Sequence, residues 1–483
     1  MTIAVPSLRS LHGARVLGLG LFLLVAFLVV YPIALLVYQS FQVGTFGTPT
    51  TWGFDNWRAA LGTPAMREAI VNTLSLTATR QLISFAVGMF IAWILARTDI
   101  PGGPWLEFGF WIAFFMPSLS GTLGWILMLD PDYGLINKLM LALPFVDAPP
   151  FNIFSWWGIV FTHLMTGSIA IKVMLLTPAF RNMDAALEEA SRISGVGTLG
   201  TLARIVMPVM APTLLVVFLM GTIRSMEAFE IELILGSPPQ IDVYSTLIYR
   251  QIFDVQPQYG TATALSMMVL ILLLPFIFLQ QVFSRRRGQA VIGGKFAPRI
   301  HRLGAWRWIA FAAIALLLVF IAVVPVVLIV LGTFMKIFGY FTLPSGAFTL
   351  ANWDKALHNP NLFSALIDTL AVASGAALLA MVLFSAIAYL SVRSQVAFPA
   401  LLDFLTWLPS TVPGIVIGLG FLWLFLGTPV FRPIYGTPWV LMIAVVLGGM
   451  TTGVQIIKSN IAQISRELEE AAAVSGEIGR AHV

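Results

Sequence analysis

Apolar residues along this chain fall in runs too long for strands or for the striped face of a soluble helix. Runs near 16–38, 69–96, 105–129, 156–180, 208–235, 261–283, 308–333, 364–392, 399–426 and 437–457 are each near or above the roughly 20 residues that carry a helix across hydrocarbon. The pattern predicts ten spanning helices. A bilayer core offers no water to an open backbone, so helices of this length set the fold class: an all-α polytopic membrane protein. Two of the connections stand out by their charge: LEEASRISGVGTLGTLARIVMP at 187–208 and the basic SRRRGQAVIGGKFAPRIHRLGAWR at 284–307. Arg9 and Arg15 precede the first run. That run exceeds a signal-peptide core and lacks a small-residue cleavage site, so it is expected to stay as the first span.

Composition agrees. Hydrophobic residues make up 58% of the chain and charged residues 10%, with mean hydropathy +0.91. A soluble chain carries about 25% charged residues. The net charge of +5 needs no nucleic-acid partner, because Lys and Arg gather in cytoplasmic loops and set orientation. With the N-terminus inside, the cytoplasmic segments hold Arg9, Arg15, Arg97, Lys172, Arg181, Arg192, Arg204, the run Arg285 to Arg307, Arg393, Lys458 and Arg466. The outer loops hold only Arg58, Arg67, Lys138, Arg250, Lys336, Lys355 and Arg432, over longer stretches. An N-terminus in the cytoplasm is therefore predicted. There is no Cys, so thiol chemistry is excluded.

The pattern also repeats. VYPIALLVYQSF (30–41) is similar to VVPVVLIVLGTF (323–334), FDNWRAAL (54–61) to LANWDKAL (350–357), and VNTL (71–74) to IDTL (367–370). IAWILAR (91–97) parallels IAYLSVR (387–393), FFMPSLSG (114–121) parallels TWLPSTVPG (406–414), and LEEASRISG (187–195) parallels LEEAAAVSG (468–476). The order is kept throughout, which predicts a duplicated six-helix unit in parallel orientation. The expected divisions are 1–283, a linker at 284–307, and 308–476. In the first copy two spans follow the LEEA segment; in the second the chain ends in EIGRAHV, 477–483. That heptapeptide reads as the translation of a sequencing adapter and is expected to be non-native, with twelve spans in the intact protein.

The LEEA segments resemble the cytoplasmic EAA loop of binding-protein-dependent ABC importer permeases: E-A-A, three residues, G, nine residues, I-x-L-P. Here Glu189, Ala190 and Ser191, then Gly195, then Ile205 to Pro208 match, with Ser for the second Ala and Met207 for Leu. The second copy supplies Glu470, Ala471, Ala472 and Gly476. The residues suit the role. Leu187, Ala190, Ile193 and Ser194 recur at helical spacing, Gly195 and Gly197 permit a positive φ, and Pro208 suits a helix start. The resemblance implies a helix–turn–helix read by a cytoplasmic ABC ATPase dimer. It also implies a periplasmic substrate-binding protein, an inner-membrane location, and ATP used by the partner subunit, with no cofactor on this chain. GQAVIGGKF (288–296) is no phosphate loop, since an extra Gly precedes Lys295 and Phe replaces Ser or Thr. No HExxH, carboxylate pair or nucleophile elbow suggests catalysis.

Ionisable residues inside spans mark candidate pathways. Arg224, Glu227 and Glu230 fall three apart in GTIRSMEAFEIELILG (221–236), and are expected on one helix face, lining the path or pairing with one another. Glu227, Phe229 and Glu230 also match an acidic "E-x-F-E" segment of the fused ferric-iron permeases the chain resembles. Arg80 is expected to be paired or to meet water, His163 to be a hydrogen-bonded core histidine, and Asn72 and Asp368 to cap helices. Pro117 and Pro409 are expected to kink equivalent spans. The best-supported function is an importer permease for ferric iron, with thiamine, polyamine, phosphonate or sulfate as other cargoes. An ion-coupled secondary transporter is the alternative class.

Overall fold

A computed structural model describes residues 8–44, 50–183, 191, 195–287, 300–337, 339, 348–393 and 399–463. Eight helices are long and apolar enough to cross a membrane: Gly18–Ser40, Pro64–Arg97, Trp156–Arg181, Ala203–Met226, Tyr259–Gln280, Trp306–Thr333, Pro360–Arg393 and Pro438–Ile461. Two more candidates are bent pairs, Gly103–Phe115 with Ser118–Leu129 at 96° and Leu401–Ser410 with Gly414–Gly427 at 108°. All ten predicted runs are therefore helical, and the third and ninth are broken rather than straight.

The breaks have a steric cause. A residue before proline is pushed out of the α region. Met116, before Pro117, sits at φ −71°, ψ 130°, and Val412, before Pro413, at φ −103°, ψ 124°. The structural counterpart of Pro117 is thus Pro413. Pro409 lies near the start of the short 3-10 turn Leu408–Thr411, where its missing N–H is tolerated. The fifth run also departs from expectation: its helix ends at Met226, and a second helix, Glu230–Gly236, starts after a break. Asn72 is no cap. Its helix begins at Pro64, and its amide donates to the Asp242 carbonyl at 3.0 Å.

By packing, the chain forms two compact units. One comprises 59–257 and 271–358, the other 1–58, 258–270 and 359–483. The larger unit packs the second to fifth spans and the seventh around Ile91, Phe110, Trp125, Ile159 and Ile321. Small residues allow close approach: a Cβ on Gly124 would lie 2.6 Å from Pro325 Cα. The smaller unit packs the first span against the ninth and joins the eighth to the tenth around Val25, Phe384, Leu424 and Met450. The first helix of each repeat therefore packs among helices of the other. The equivalent second and eighth spans differ in burial, 50% against 17% of their apolar windows. In the larger unit the fifth span flanks the second.

The duplication is visible in polar geometry. The Asn56 amide donates to the carbonyls of Ser40 at 3.3 Å and Gln42 at 2.8 Å, and the Trp57 indole donates to the Ser40 hydroxyl at 3.3 Å. In the second copy Asn352 donates to the carbonyls of Thr333 at 3.1 Å and Met335 at 2.8 Å, and Trp353 to the Thr333 hydroxyl at 3.0 Å. Each Asn-Trp pair satisfies carbonyls left open where the first helix of its repeat ends. After the basic linker, His301 N–H donates to the Arg97 carbonyl at 2.7 Å and Leu303 N–H to the Asp99 carboxylate at 2.7 Å, so the chain re-enters beside the end of the second span.

Candidate functional site

Two groups of residues stand out. The first is the LEEA segment. Glu189 and Ala190 lie outside the described residues, as do Glu470, Ala471, Ala472 and Gly476. Ser191 and the residues from Gly195 onward are described. Ser191 is buried, with its hydroxyl 2.9 Å from that of Thr201, and its carbonyl accepts from Val196 N–H at 3.1 Å. Gly195 sits at φ +79°, a conformation that favours glycine, while Gly197 does not take a positive φ. Helix resumes at Thr198–Thr201 and widens over Leu202–Val206, which includes Ile205. It then enters the fifth span, with Pro208 as the second residue of Met207–Met226. The serine that replaces a motif alanine thus ties position 191 to the helical turn at Thr201.

The helices leading into this segment are pinned, and the pins are duplicated. Arg97, fully buried at the end of the second span, donates to the Met183 carbonyl at 2.7 Å. Its repeat counterpart Arg393 donates to the Ile461 carbonyl at 3.1 Å. Glu107 on the third span pairs with Arg181 at 2.7 Å, and Asp403 on the ninth pairs with Lys458.

The second group lies inside the larger unit. Thr73, Thr77, Arg80, Gln81, Ser84 and Gly88 follow helical spacing on the second span and are all buried. Arg80 Nη1 donates to Glu232 Oε1 at 2.7 Å. His163 Nε2 lies 2.8 Å from the same oxygen and also touches Arg80 Nη1. Arg80 and Glu232 are 2% and 1% exposed, so this ion pair lies within the protein interior. The second carboxylate oxygen, Glu232 Oε2, has no hydrogen-bond partner among the described residues. Gln81 donates to the Phe218 carbonyl at 2.9 Å, and Gly221 makes room for it, since a Cβ there would lie 2.5 Å from the amide.

Two backbone breaks open this region. The fourth span unwinds at Thr166 (φ −116°) and Gly167 (φ +120°). The fifth span stops at Met226, with Phe229 at φ −139° before the next helix. In that break the Ala228 carbonyl accepts from the Ser245 hydroxyl at 2.6 Å. Beside the breaks is a cavity of about 530 Å³ lined by Arg80, His163, Lys172, Arg224, Ser118 and Thr166, among others. Lys172 is therefore no loop residue. It sits within the fourth span, 4% exposed.

The predicted pathway residues separate. Arg224 and Glu227 form an ion pair at 3.7 Å, as the pairing alternative expects. Glu230 belongs to the next helix and accepts from the Ser118 hydroxyl, so Arg224, Glu227 and Glu230 do not share one helix face. Phe229 stacks at an angle on Tyr249, with ring centroids 5.2 Å apart. Glu232, which holds Arg80, is not singled out by the sequence alone. The polar stripe from Thr73 to Ser84 is the signal that such a partner exists.

Residues 82–289 match the profile of the family described as binding-protein-dependent transport system inner membrane component. A probable ABC transporter permease of Sinorhizobium fredii is 29% identical over 94% of this chain and 79% of its own length. The ferric transport system permease FbpB of Actinobacillus pleuropneumoniae is 26% identical over 97% of this chain and 67% of its own. A sulfoquinovosyl glycerol transport permease of Agrobacterium fabrum is 23% identical over 54% of this chain and 88% of its own. With its apolar helices and its turn at Gly195, the chain is similar to the binding-protein-dependent inner-membrane components, and across most of its length to ABC transporter permeases.

Proposed function

We propose that this permease takes cargo from a periplasmic binding protein and passes it inward by alternating access, driven by a separate cytoplasmic ATPase dimer that docks on the LEEA segments. The observation that carries the docking role is the Ser191–Thr201 turn, closed on a positive-φ Gly195 and leading directly into the fifth span. A turn joined to a spanning helix moves that helix when a partner pushes on it. The N-terminus lies in the cytoplasm on this reading, and ATP is bound by the partner.

Ferric iron is the cargo we propose. It is supported by similarity to ferric permeases across nearly the whole chain. Relatives named for sugars cover about half of it. The test is uptake of radioactive iron, supplied on its binding protein, into proteoliposomes holding the chain and its ATPase. Wild type should accumulate iron only with ATP. Gly195→Asp should abolish uptake, because a side chain at φ +79° strains the turn and adds charge to the docking face. Uptake by the variant at the wild-type rate would overturn the docking role, and ATP-driven uptake of another cargo instead of iron would overturn the substrate.

A further inference from the structure

Lys172 is a buried charge of the larger unit with no partner among the described residues. It is buried in the fourth span, and its stem packs against the second span, where a Cβ on Gly88 would lie 2.6 Å from Lys172 Cβ. It has no hydrogen-bond or ion-pair partner among the described residues, and it lines the 530 Å³ cavity. An ammonium group carries three donors, and leaving it unpaired inside a membrane bundle is costly. Arg80 on the same wall is already neutralised by Glu232, and Arg224 by Glu227. Among the described residues no Asp or Glu lines the cavity, whereas Ser168 and Ser225 do and have no described partner for their hydroxyls. The cavity therefore presents one net positive charge and free donors, and it has the volume for a small molecule.

We propose that this cavity binds an oxyanion, a carboxylate or phosphoryl-type group, with Lys172 as the charge that receives it and Ser168 and Ser225 as flanking donors. The inference rests on the permease reading, and it specifies the cargo: what crosses is an anion or an anionic complex. Ferric ion held by an excess of carboxylates fits; a bare trivalent cation or a polyamine is repelled.

The test uses the full chain in nanodiscs, assembled with its ATPase. Equilibrium binding of radiolabelled citrate, sulfate and inorganic phosphate is measured for wild type, Lys172→Gln and Lys172→Arg, with spermidine as the cationic control. At least one anion should bind wild type, bind Lys172→Gln about tenfold or more weakly, and recover in Lys172→Arg. Spermidine should not bind there. Because an unpaired buried charge is removed, Lys172→Gln should melt no lower than wild type, which separates lost binding from lost folding. Anion binding unchanged in Lys172→Gln, or no anion bound by wild type, overturns the site. An anionic lipid that co-purifies with wild type and not with Lys172→Gln upholds the oxyanion chemistry, assigns it to a headgroup and overturns the cargo role. Failure of the ATPase to co-purify with any variant counts against the permease reading alone.

Discussion

Arg80 shows how a single residue carries charge into an apolar helix. It is buried, and its guanidinium is met by Glu232 and His163. Removing one partner of such a pair leaves the other desolvated and alone, at about 3–5 kcal/mol, whereas replacing both with apolar groups is often near neutral. Arg80→Met should therefore lower the melting temperature sharply, and Arg80→Met with Glu232→Met should restore most of it. Thermal unfolding in detergent checks this, and a double variant as unstable as the sum of the singles would contradict the pairing. Part of the arrangement is legible in the sequence. Arg80 stands out in an apolar run, and an intramembrane Arg requires a partner. The identity of the partner is not legible, because 152 residues separate Arg80 from Glu232 and no periodicity links them. Glu227 and Glu230, spaced as if on one face, draw attention away from Glu232. The backbone break at Phe229 is what undoes that face.

Among the helices and turns, local rules place the elements well and their interruptions less well. Length and apolarity alone locate every described span. Pro117 is correctly read as a bend, but in TWLPSTVPG two prolines compete, and only Val412, forced extended before Pro413, turns the chain. The repeat shows what the fold preserves. The Asn56–Trp57 and Asn352–Trp353 closures and the Arg97 and Arg393 pins recur in kind, and each pin holds the end of a helix that leads toward an LEEA segment. Arg97 acts as a positioning residue. Arg97→Met should lower cargo moved per ATP hydrolysed several-fold while ATP hydrolysis by the complex falls less, and Arg97→Lys should recover part of the coupling. Parallel transport and hydrolysis assays on one preparation read the ratio; equal loss of both would assign Arg97 to stability alone.

In the molecule as a whole, the compact units cut across the repeats. The first helix of each repeat packs in the unit built mainly from the other, so each unit draws on both halves of the sequence. The sequence shows the repeat because duplicated motifs keep their order, but it carries no sign of the exchange, since apolar helices pair by shape. The proposed function makes the turn at 191–208 the place where the membrane helices feel ATP hydrolysis. The cysteine-free chain makes a direct measurement possible. Gly197 is exposed and has no positive φ, and a Cβ there would meet nothing within 4 Å, so Gly197→Cys should fold normally. A short thiol-to-amine cross-linker at that cysteine, applied to the transport-active complex, should capture the ATPase subunit, with a yield that changes when ATP and vanadate trap the closed state. A complex that transports with ATP yet gives no cross-link from this position would contradict coupling through the turn.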